Sequence, residues 1–464
     1  MPASITPRKA RSAAAAVVAS LLILSACGDA DDSTDETGAE ATETTTTSEA
    51  SDEPTEPTTT TAAEEPDDPA PEQEEEQEDV EQEEEEEEAG EAVDSASWQQ
   101  LTLATPVEAA EQLSDGSFIV LGSPSETGEP GAIYRWSPDS SELTEVGQLA
   151  EPRRMPTTTV LADDQILVTG GLGITGDVLA TTELVDAGAG TSTVVGSMES
   201  PRARGKMAAL PDGGAIITGG ASVLAIETDP TATLASALAT TEVFDPATQT
   251  WSAGPDMASG RVTHAVAALP DGDILITGGL TSASGIPMMS ASSEIYDAET
   301  NSITPAADLP IGGRGELAAT SMPDGRILVT GGGGIGGAND ADSGGSPFAI
   351  NAATDAAVFD PATMDWTVTE PMSTARGGHL GFALSDGTIA VVAGDSGSML
   401  ELTPTSTVEV YDPVADQWSP LPDLPEAVAG YVGFVDTNGQ LVILSGTTNG
   451  TDVLSSGFTL QTLQ

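Results

Sequence analysis

The sequence predicts an all-β fold, a seven-bladed β-propeller of four-stranded blades preceded by a disordered acidic linker. Three observations carry this prediction. A short apolar pattern recurs seven times at spacings of 48 to 62 residues, each copy places a tight turn between two apolar runs, and the first 95 residues lack the pattern. Tandem units that each form one small sheet are expected to close into a ring.

Residues 1–26 have the features of an exported signal peptide. A positively charged start is followed by the apolar run Ala13 to Leu24, which is too short to span a bilayer. The run ends in the letters LSAC, which resemble the lipobox of bacterial lipoproteins. That resemblance implies cleavage before Cys27, lipidation of its thiol and an extracytoplasmic, membrane-anchored location. An ordinary signal peptide followed by a chance cysteine is the alternative.

Residues 27–95 are predicted to form a disordered tether. Between Asp29 and Asp94 there are 30 acidic residues and no lysine or arginine, and Val80 and Val93 are the only branched apolar residues. Such a segment cannot bury enough surface to offset the entropy lost on ordering. The formal net charge of −62 for the whole chain excludes nucleic acid and bare anionic membrane as partners.

The repeat is recognised first by its turns. Asp-Gly and Asn-Gly favour tight hairpins because both residues tolerate positive φ. Six such turns and one Asp-Asp variant mark the seven units: Asp115-Gly116, Asp163-Asp164, Asp212-Gly213, Asp271-Gly272, Asp324-Gly325, Asp386-Gly387 and Asn438-Gly439.

Each turn is followed by a continuous apolar run, which indicates a strand covered on both faces. Clear copies end in Gly-Gly, as in Ile166-LVTGG and Ile274-LITGG. A third strand follows at sites such as Val243-FDP, and the fourth carries a large apolar residue: Trp251, Ile303, Trp366 or Trp418. Gly-Gly, aromatic-Asp-Pro and a downstream tryptophan resemble the kelch repeat. The resemblance covers residues 98–464 and implies a propeller domain over 96–464.

The last unit lacks a fourth strand of its own. Trp98-QQLTL supplies a fitting strand at the other end of the domain. We therefore predict that residues 98–103 complete the last blade and remove the exposed edges. A ring closed in this way is self-sufficient, so a monomer is expected.

Functional residues are expected on the face where the first strand of each blade begins, because the long loops after Gly-Gly lie there. Basic residues cluster at the joins into those strands. The candidates for capturing an anionic group on this face are Arg153, Arg202, Arg204, Lys206, Arg261, His264, Arg314, Arg376 and His379.

A structural interpretation of the same arginines stays open beside the functional one. Glutamate begins the third strand in four of the five blades that carry a join arginine, at Glu183, Glu242, Glu294 and Glu409. This co-occurrence predicts ion pairs within blades, with Asp355 as the substitute partner of Arg314. Under this interpretation Arg314, Arg204 and Lys206 are the best candidates for ligand contacts.

No catalytic residue, metal ligand or cofactor is predicted. Some propellers that resemble this one are copper oxidases with a cysteine-linked tyrosine, and the single cysteine of this chain, Cys27, lies in the lipobox. The histidines His264 and His379 follow from the repeat spacing, so a metal pair is not required to explain them.

These observations favour a non-enzymatic, membrane-anchored recognition propeller that binds a protein or a glycan. The alternative is an enzyme acting on acidic sugars, resembling the kelch-type sialic acid mutarotases. In that alternative the arginines at the joins hold a carboxylate while His264, His379 or a channel glutamate moves protons. The enzyme requires titrating groups that converge on a narrow pocket.

Overall fold

The computed structural model describes residues 97–138, 142–225, 230–283, 286–335, 350–397, 402–449 and 453–461. The chain divides into two compact units, and all described residues belong to one of them. The predicted signal peptide (1–26), Cys27 and the predicted tether (27–95) lie outside the described residues. The described unit is almost entirely β-structure, with one short helix, α1 (Pro230–Ala235).

The described unit contains seven four-stranded sheets, which we number in chain order. Its first part contains sheets 1 to 3 and one strand of sheet 7. The strand β1 (Gln99–Thr102) comes first. Sheet 1 then contains β2 (Val107–Gln112), β3 (Phe118–Gly122), β4 (Ala132–Ser137) and β5 (Glu142–Gln148). Sheet 2 contains β6 (Thr157–Val160), β7 (Gln165–Thr169), β8 (Thr182–Asp186) and β9 (Thr191–Val194). Sheet 3 contains β10 (Lys206–Ala209), β11 (Ala215–Thr218), β12 (Thr241–Asp245) and β13 (Thr250–Ala253).

The short strand β14 (Arg261–Val262) precedes sheet 4. This sheet contains β15 (Ala265–Ala268), β16 (Ile274–Thr277), β19 (Ser293–Asp297) and β20 (Ser302–Pro305). The strands β17 (Leu280–Ala283) and β18 (Ile286–Met289) lie between β16 and β19 in the chain but outside this sheet. The short strand β21 (Arg314–Gly315) precedes sheet 5. This sheet contains β22 (Ala318–Ser321), β23 (Ile327–Thr330), β26 (Ala356–Asp360) and β27 (Asp365–Val368). The strands β24 (Gly333–Ile335) and β25 (Ile350–Ala352) lie between β23 and β26 in the chain but outside this sheet.

Sheet 6 contains β28 (Leu380–Ala383), β29 (Ile389–Val392), β30 (Val408–Asp412) and β31 (Gln417–Leu421). Sheet 7 contains β32 (Val432–Val435), β33 (Gln440–Leu444) and β34 (Ser456–Gln461), and its fourth strand is β1. In the described residues, all the strand pairs of these seven sheets are antiparallel.

The predicted turns join the first and second strands of each sheet. Six of them place a glycine at positive φ, from 74° at Gly439 to 94° at Gly272, and the Asp-Asp variant places Asp164 at 61°. A side chain in this region clashes with its own backbone, so glycine is the favoured residue. The aspartate of most turns accepts a backbone N–H two residues on, as Asp271 does from Asp273.

The second strand of every sheet is the core of the unit. Strands such as β11, β16 and β29 are buried at every position, whereas outer strands such as β13 and β27 alternate between exposed and half-buried residues. The apolar runs predicted as doubly covered strands are therefore confirmed. Burial on both faces follows because each sheet packs against a neighbouring sheet on either side.

The first strands of the sheets lie next to one another in cyclic order. The strand β2 approaches β6, β6 approaches β10, and the series continues through β15, β22 and β28 to β32, which returns to β2. We call these seven the inner strands. Their arrangement brings the starts of distant sequence repeats to one place.

The strand predicted over residues 98–103 lies at Gln99–Thr102 and pairs with Ser456–Gln461 in sheet 7. The indole of Trp98 donates a 2.8 Å hydrogen bond to the carbonyl of Pro422. Two other fourth-strand tryptophans make the matching bond to the preceding connection: Trp366 donates to Ala307 O at 2.9 Å and Trp418 donates to Glu370 O at 2.8 Å. Residues from the two ends of the unit thus share one sheet.

Two of the predicted long loops contain additional sheet. After the second strand of sheet 4, β17 pairs with β14 on one side and with β18 on the other. After the second strand of sheet 5, β24 likewise pairs with β21 and with β25. The equivalent connection of sheet 3 contains α1, and Leu234 of this helix packs against Val262 and Leu280. The sequence did not predict these elements, because they depend on packing between neighbouring loops rather than on a local pattern.

Candidate functional site

The candidate site is built from the joins, the short segments that lead into the inner strands. In sheets 2, 3, 4 and 6 each join begins with a buried arginine, and four residues later the inner strand starts. This arginine is the first-position residue of the join. The residue two positions later has positive φ in sheets 2 to 7. Each of these joins therefore has a buried arginine at its first position and a residue with left-handed backbone conformation two positions later.

In sheet 3 the first-position arginine, Arg202, links the start of the inner strand to the second and third strands through hydrogen bonds. Its Nη1 donates to the carbonyls of Gly219 at 3.0 Å and Thr240 at 2.9 Å, which lie at the end of the second strand and before the third. Its Nη2 donates to Glu242 Oε1 at 2.8 Å. Both charged side chains are almost completely buried.

The glutamate in turn holds the chain that crosses between sheets. Its carboxylate accepts the backbone N–H of Glu199 at 2.6 Å and of Ser200 at 3.2 Å. These bonds satisfy a buried charge that would otherwise be costly. We call this arginine–glutamate arrangement the clamp.

The clamp recurs with the same geometry in three other sheets: Arg153–Glu183 at 2.8 Å, Arg261–Glu294 at 2.5 Å and Arg376–Glu409 at 2.7 Å. The four clamp arginines have at most 1% of their surface exposed. Their guanidinium groups donate hydrogen bonds to carboxylates and carbonyls of their own sheet. Because the arginines are also buried, they are not accessible to a ligand. The geometry supports the structural interpretation for Arg153, Arg202, Arg261 and Arg376, and it removes them as ligand contacts.

The clamp in sheet 6 stays ionised. Burial raises the pKa of Glu409, but the N–H of Ser373 and the guanidinium of Arg376 outweigh burial and lower the pKa overall. Hydrogen bonds to the charged form are what make a buried carboxylate tolerable. The clamp is therefore a charged scaffold at neutral pH.

Sheet 5 departs from the clamp. Ala357 stands where the glutamate is elsewhere, and Arg314 pairs with Asp355 at 2.6 Å, as the sequence suggested. The guanidinium also donates to the carbonyl of Ile311. Asp355 is 49% exposed, so this pair is open to water on one side. Arg314 itself remains mostly buried and does not line the cavity described below.

The two histidines connect neighbouring sheets. His264 Nε2 lies 2.7 Å from Thr218 Oγ1, and His379 Nε2 lies 2.8 Å from Thr330 Oγ1, each threonine ending the second strand of the preceding sheet. Burial, reinforced by the nearby clamp arginine, lowers the pKa of both imidazoles well below the ordinary value. They are neutral structural residues, so they are poorly suited to binding an anion.

The cations Arg204 and Lys206 have a different environment. They line a cavity of about 310 Å³ where the inner strands of sheets 3 to 6 begin, together with Thr263, Glu316, His379 and Leu380. We call this the mouth cavity. Arg204 Nη1 lies 3.2 Å from Glu316 Oε1, so this ion pair links sheets 3 and 5 past sheet 4.

The charge of Lys206 has no partnering carboxylate within salt-bridge distance among the described residues, and its side chain is exposed to the cavity. Desolvation by the surrounding walls, followed by the charge of Arg204, lowers the pKa of Lys206 from its ordinary value. The two cations and the carboxylate of Glu316 thus line the same cavity.

The sequence prediction missed two members of the mouth cavity, Glu316 and Thr263. A signal was present: both occupy the position two residues after a join arginine, as Arg204 does after Arg202. Their proximity was not predictable, since Arg204 and Glu316 lie 112 residues apart. Within the described residues, no group of three or more histidine, cysteine, aspartate or glutamate side chains is arranged to hold a metal ion.

Comparison with known proteins supports the repeat. Residues 376–425 match the model of the Kelch motif. Human Kelch-like protein 34 is 32% identical over 182 residues, which is 39% of this chain. The chain spans about a quarter of that relative's length.

Solved structures show the same architecture. A fungal alcohol oxidase of the AA5 family, in complex with copper, superposes with a TM-score of 0.59 at 17% identity, covering 79% of this chain and 76% of the other. YjhT superposes with a TM-score of 0.50 at 13% identity, covering 69% of this chain and 99% of the other. The described unit has a β-propeller fold.

Within this propeller the clamp belongs to the scaffold and the mouth cavity is the candidate binding site. The cavity lies where inner strands of four sheets begin, on the face to which α1 and the added strand pairs also belong. No helix in the part of the chain that the structure describes has the length and hydropathy needed to cross a membrane.

Proposed function

We propose that this protein is a non-enzymatic recognition propeller, anchored to the outer side of a membrane, that binds a protein or glycan through the face containing the mouth cavity. The observation that carries this proposal is the distribution of charge at the joins. The clamp arginines are buried in ion pairs, whereas Arg204 and Lys206 line an open cavity. The first group is closed to a ligand by its burial, whereas the second lines a cavity that a ligand can enter.

The alternative, an enzyme acting on acidic sugars, needs groups that exchange protons within the cavity. The Nε2 atoms of His264 and His379 are engaged by threonines, and both rings are buried with a pKa well below the ordinary value. General acid–base catalysis requires a titrating group within hydrogen-bond reach of the substrate. The arrangement of these histidines therefore favours binding over catalysis.

A seven-bladed ring is part of the proposal. Its support is the cyclic order of the seven inner strands and the sheet that β1 completes with β34. Such closure leaves no unpaired inner edge to recruit another chain, which is consistent with a monomer.

Anchoring through Cys27 is also proposed, with the acidic segment 27–95 acting as a spacer between membrane and propeller. The support is the LSAC motif and the absence of basic residues between Asp29 and Asp94. In cells that lipidate exported proteins, the chain should fractionate with membranes, and Cys27→Ser should move it to the soluble fraction. Wild-type protein in the soluble fraction would reject the anchor.

The binding proposal is tested with the full chain on an array of neutral and acidic glycans and by crosslinking to surface proteins of the source cells. The variant is Arg204→Gly combined with Lys206→Leu, and the control is Arg154→Met, which removes a join cation outside the cavity. Binding that the double variant loses and the control keeps supports the proposal. A partner bound equally by both variants would place recognition elsewhere.

A further inference from the structure

Lysine is almost absent from this chain. It occurs only as Lys9, in the predicted signal peptide, and as Lys206, in the mouth cavity, and the rest of the 13 basic residues are arginines. Arginine keeps its proton in proteins, whereas the amine of lysine can lose its proton and then act as a nucleophile. Any side-chain amine chemistry of the propeller therefore belongs to Lys206.

The repeats act as internal controls for this lysine. Lys206 begins the inner strand of sheet 3, and its register with the second strand identifies its counterparts in five other sheets: Thr157, Ala265, Ala318, Leu380 and Val432. None of these is charged. The propeller framework is therefore built without a cation at this place, and the repeat does not require Lys206.

The mouth cavity places the amine against apolar walls. The three counterparts of Lys206 that line the cavity are Ala265, Ala318 and Leu380, from sheets 4, 5 and 6. Further apolar lining comes from residues beside them: Val266, Leu317 and Ala319. Lys206 is thus the one polar side chain among the four strand-starting residues of the cavity.

The amine of Lys206 makes no hydrogen bond and no ion pair with the described residues, and its side chain is exposed to the cavity. An ammonium held beside apolar walls without a carboxylate partner favours loss of its proton. Burial and then the charge of Arg204, opposed by Glu316, lower the pKa of Lys206 from its ordinary value. The geometry and the charges therefore both favour a nucleophilic, neutral amine that a small molecule can reach.

A hydrogen-bond donor lines the same cavity. Thr263 follows the clamp arginine of sheet 4 by two positions, and its buried hydroxyl has no hydrogen-bond partner among the described residues. Buried polar groups in proteins are normally paired, so an unpaired hydroxyl at a cavity is available to a ligand. A carbonyl oxygen is an acceptor that such a hydroxyl can bind.

We propose that Lys206 binds a small apolar aldehyde covalently, as an imine in the mouth cavity. The amine nitrogen adds to the carbonyl carbon, and the carbonyl oxygen leaves as water with the two protons of the amine. The hydroxyl of Thr263 donates to the carbonyl oxygen during the addition, and the apolar walls contact the rest of the aldehyde. This chemistry goes beyond the proposed function, because it requires no protein or glycan partner.

The test incubates the full chain with butanal and sodium cyanoborohydride, which reduces an imine to a stable butylamine. Mass spectrometry of peptides then measures the rate of butylation at each lysine. The control combines Lys206→Leu with Val414→Lys, which moves the lysine of the propeller to a turn where the valine is 95% exposed. Both proteins should melt at the same temperature.

At neutral pH, Lys206 should be butylated several-fold faster than the amine of the control. Its rate should also reach its maximum at a lower pH, because a neutral amine is the reacting form. Equal rates in the two proteins, or no butylation at Lys206, would overturn the inference. A faster rate with the same pH profile would show that Lys206 is merely accessible, which also contradicts it.

Two further comparisons examine the walls and the hydroxyl. With glyceraldehyde, which is polar, the advantage of Lys206 over the control amine should be smaller than with butanal, and a larger advantage would contradict an apolar ligand. Thr263→Val should slow butylation of Lys206 several-fold and leave the rate unchanged when introduced into the control. An unchanged rate at Lys206 would remove Thr263 from the site.

The two proposals fail in different ways. Butylation of Lys206 in a chain that binds no glycan or protein would support the covalent site and count against the proposed function. A partner that depends on Arg204 and Lys206, bound by a chain whose Lys206 reacts no faster than the control amine, would reject the covalent site and leave the recognition face in place.

Discussion

The joins of sheets 3 and 6 begin alike and end differently. Each starts with a clamp, Arg202–Glu242 in one and Arg376–Glu409 in the other, with distances of 2.8 and 2.7 Å. Two residues later sheet 3 has Arg204 and sheet 6 has Gly378. Two arginines that lie two positions apart therefore have different roles: Arg202 joins the strands of its sheet through a buried ion pair, and Arg204 lines the mouth cavity.

The largest expected effect comes from opening a clamp. Glu242→Gln and Glu409→Gln should each destabilise the propeller by about 3 kcal/mol, because each leaves a buried guanidinium without its counter-charge. Urea unfolding followed by tryptophan fluorescence measures both. Asp355→Asn in sheet 5 is the matched control and should cost about 0.5–1 kcal/mol, since Asp355 is half exposed. An equal loss of unfolding free energy in all three variants would show that the buried clamp stabilises the propeller no more than the half-exposed pair does.

Sheet 1 lacks the clamp and instead has a half-buried carboxyl, Glu111 on β2, which accepts a hydrogen bond from Thr158. Burial, opposed by that bond, raises the pKa of Glu111 to about 7 from 4.5. Between these two pH values the unfolded chain loses the proton while the folded chain keeps it, so stability falls as pH rises. Below pH 4.5 the effect vanishes.

Glu111→Gln should therefore be more stable than the wild type at pH 8 by on the order of 1–3 kcal/mol, and the difference should disappear by pH 4. The side chain retains some accessibility, which places the effect below the full value of the shift. Thermal unfolding at a series of pH values measures it. A difference between the two proteins that is independent of pH would contradict the assignment.

Exchanging the left-handed residues tests the two joins directly. Arg204→Gly should leave stability unchanged or raise it by up to about 1 kcal/mol, since glycine relieves the φ of 57° at the expense of the Glu316 pair. The reverse change in sheet 6, Gly378→Arg, should cost about 1 kcal/mol for the same reason. If Arg204→Gly proves strongly destabilising, Arg204 is scaffold.

The smallest expected effect on stability is that of Lys206→Leu, which installs the residue that sheet 6 has at Leu380. Because Lys206 is exposed to the cavity, the change in unfolding free energy should stay within about 0.5 kcal/mol. The midpoint of thermal unfolding, compared at pH 7 and pH 9, checks this. A loss of more than 1 kcal/mol would give Lys206 a structural role that its surroundings do not indicate.

Much of the architecture followed from local chemistry. Asp-Gly turns such as Asp271-Gly272 and apolar runs such as Ile274-LITGG are local signals, so they located the first two strands of each sheet. The partner of each clamp arginine was also inferred, from the co-occurrence of arginine and glutamate across repeats. The helix α1 and the strands added after sheets 4 and 5 were not predicted, because their stability depends on contacts between loops.

The sequence by itself determined the repeat, its turns and the chemical pairing of arginine with glutamate, since each repeat encodes these within about 60 residues. Only the tertiary structure decided which cations reach water. Burial of Arg202 depends on strands that meet around it, and the contact of Arg204 with Glu316 joins residues 112 positions apart. Neither is a property of a local pattern: cyclic packing of the inner strands buries one arginine and brings the other to the mouth cavity.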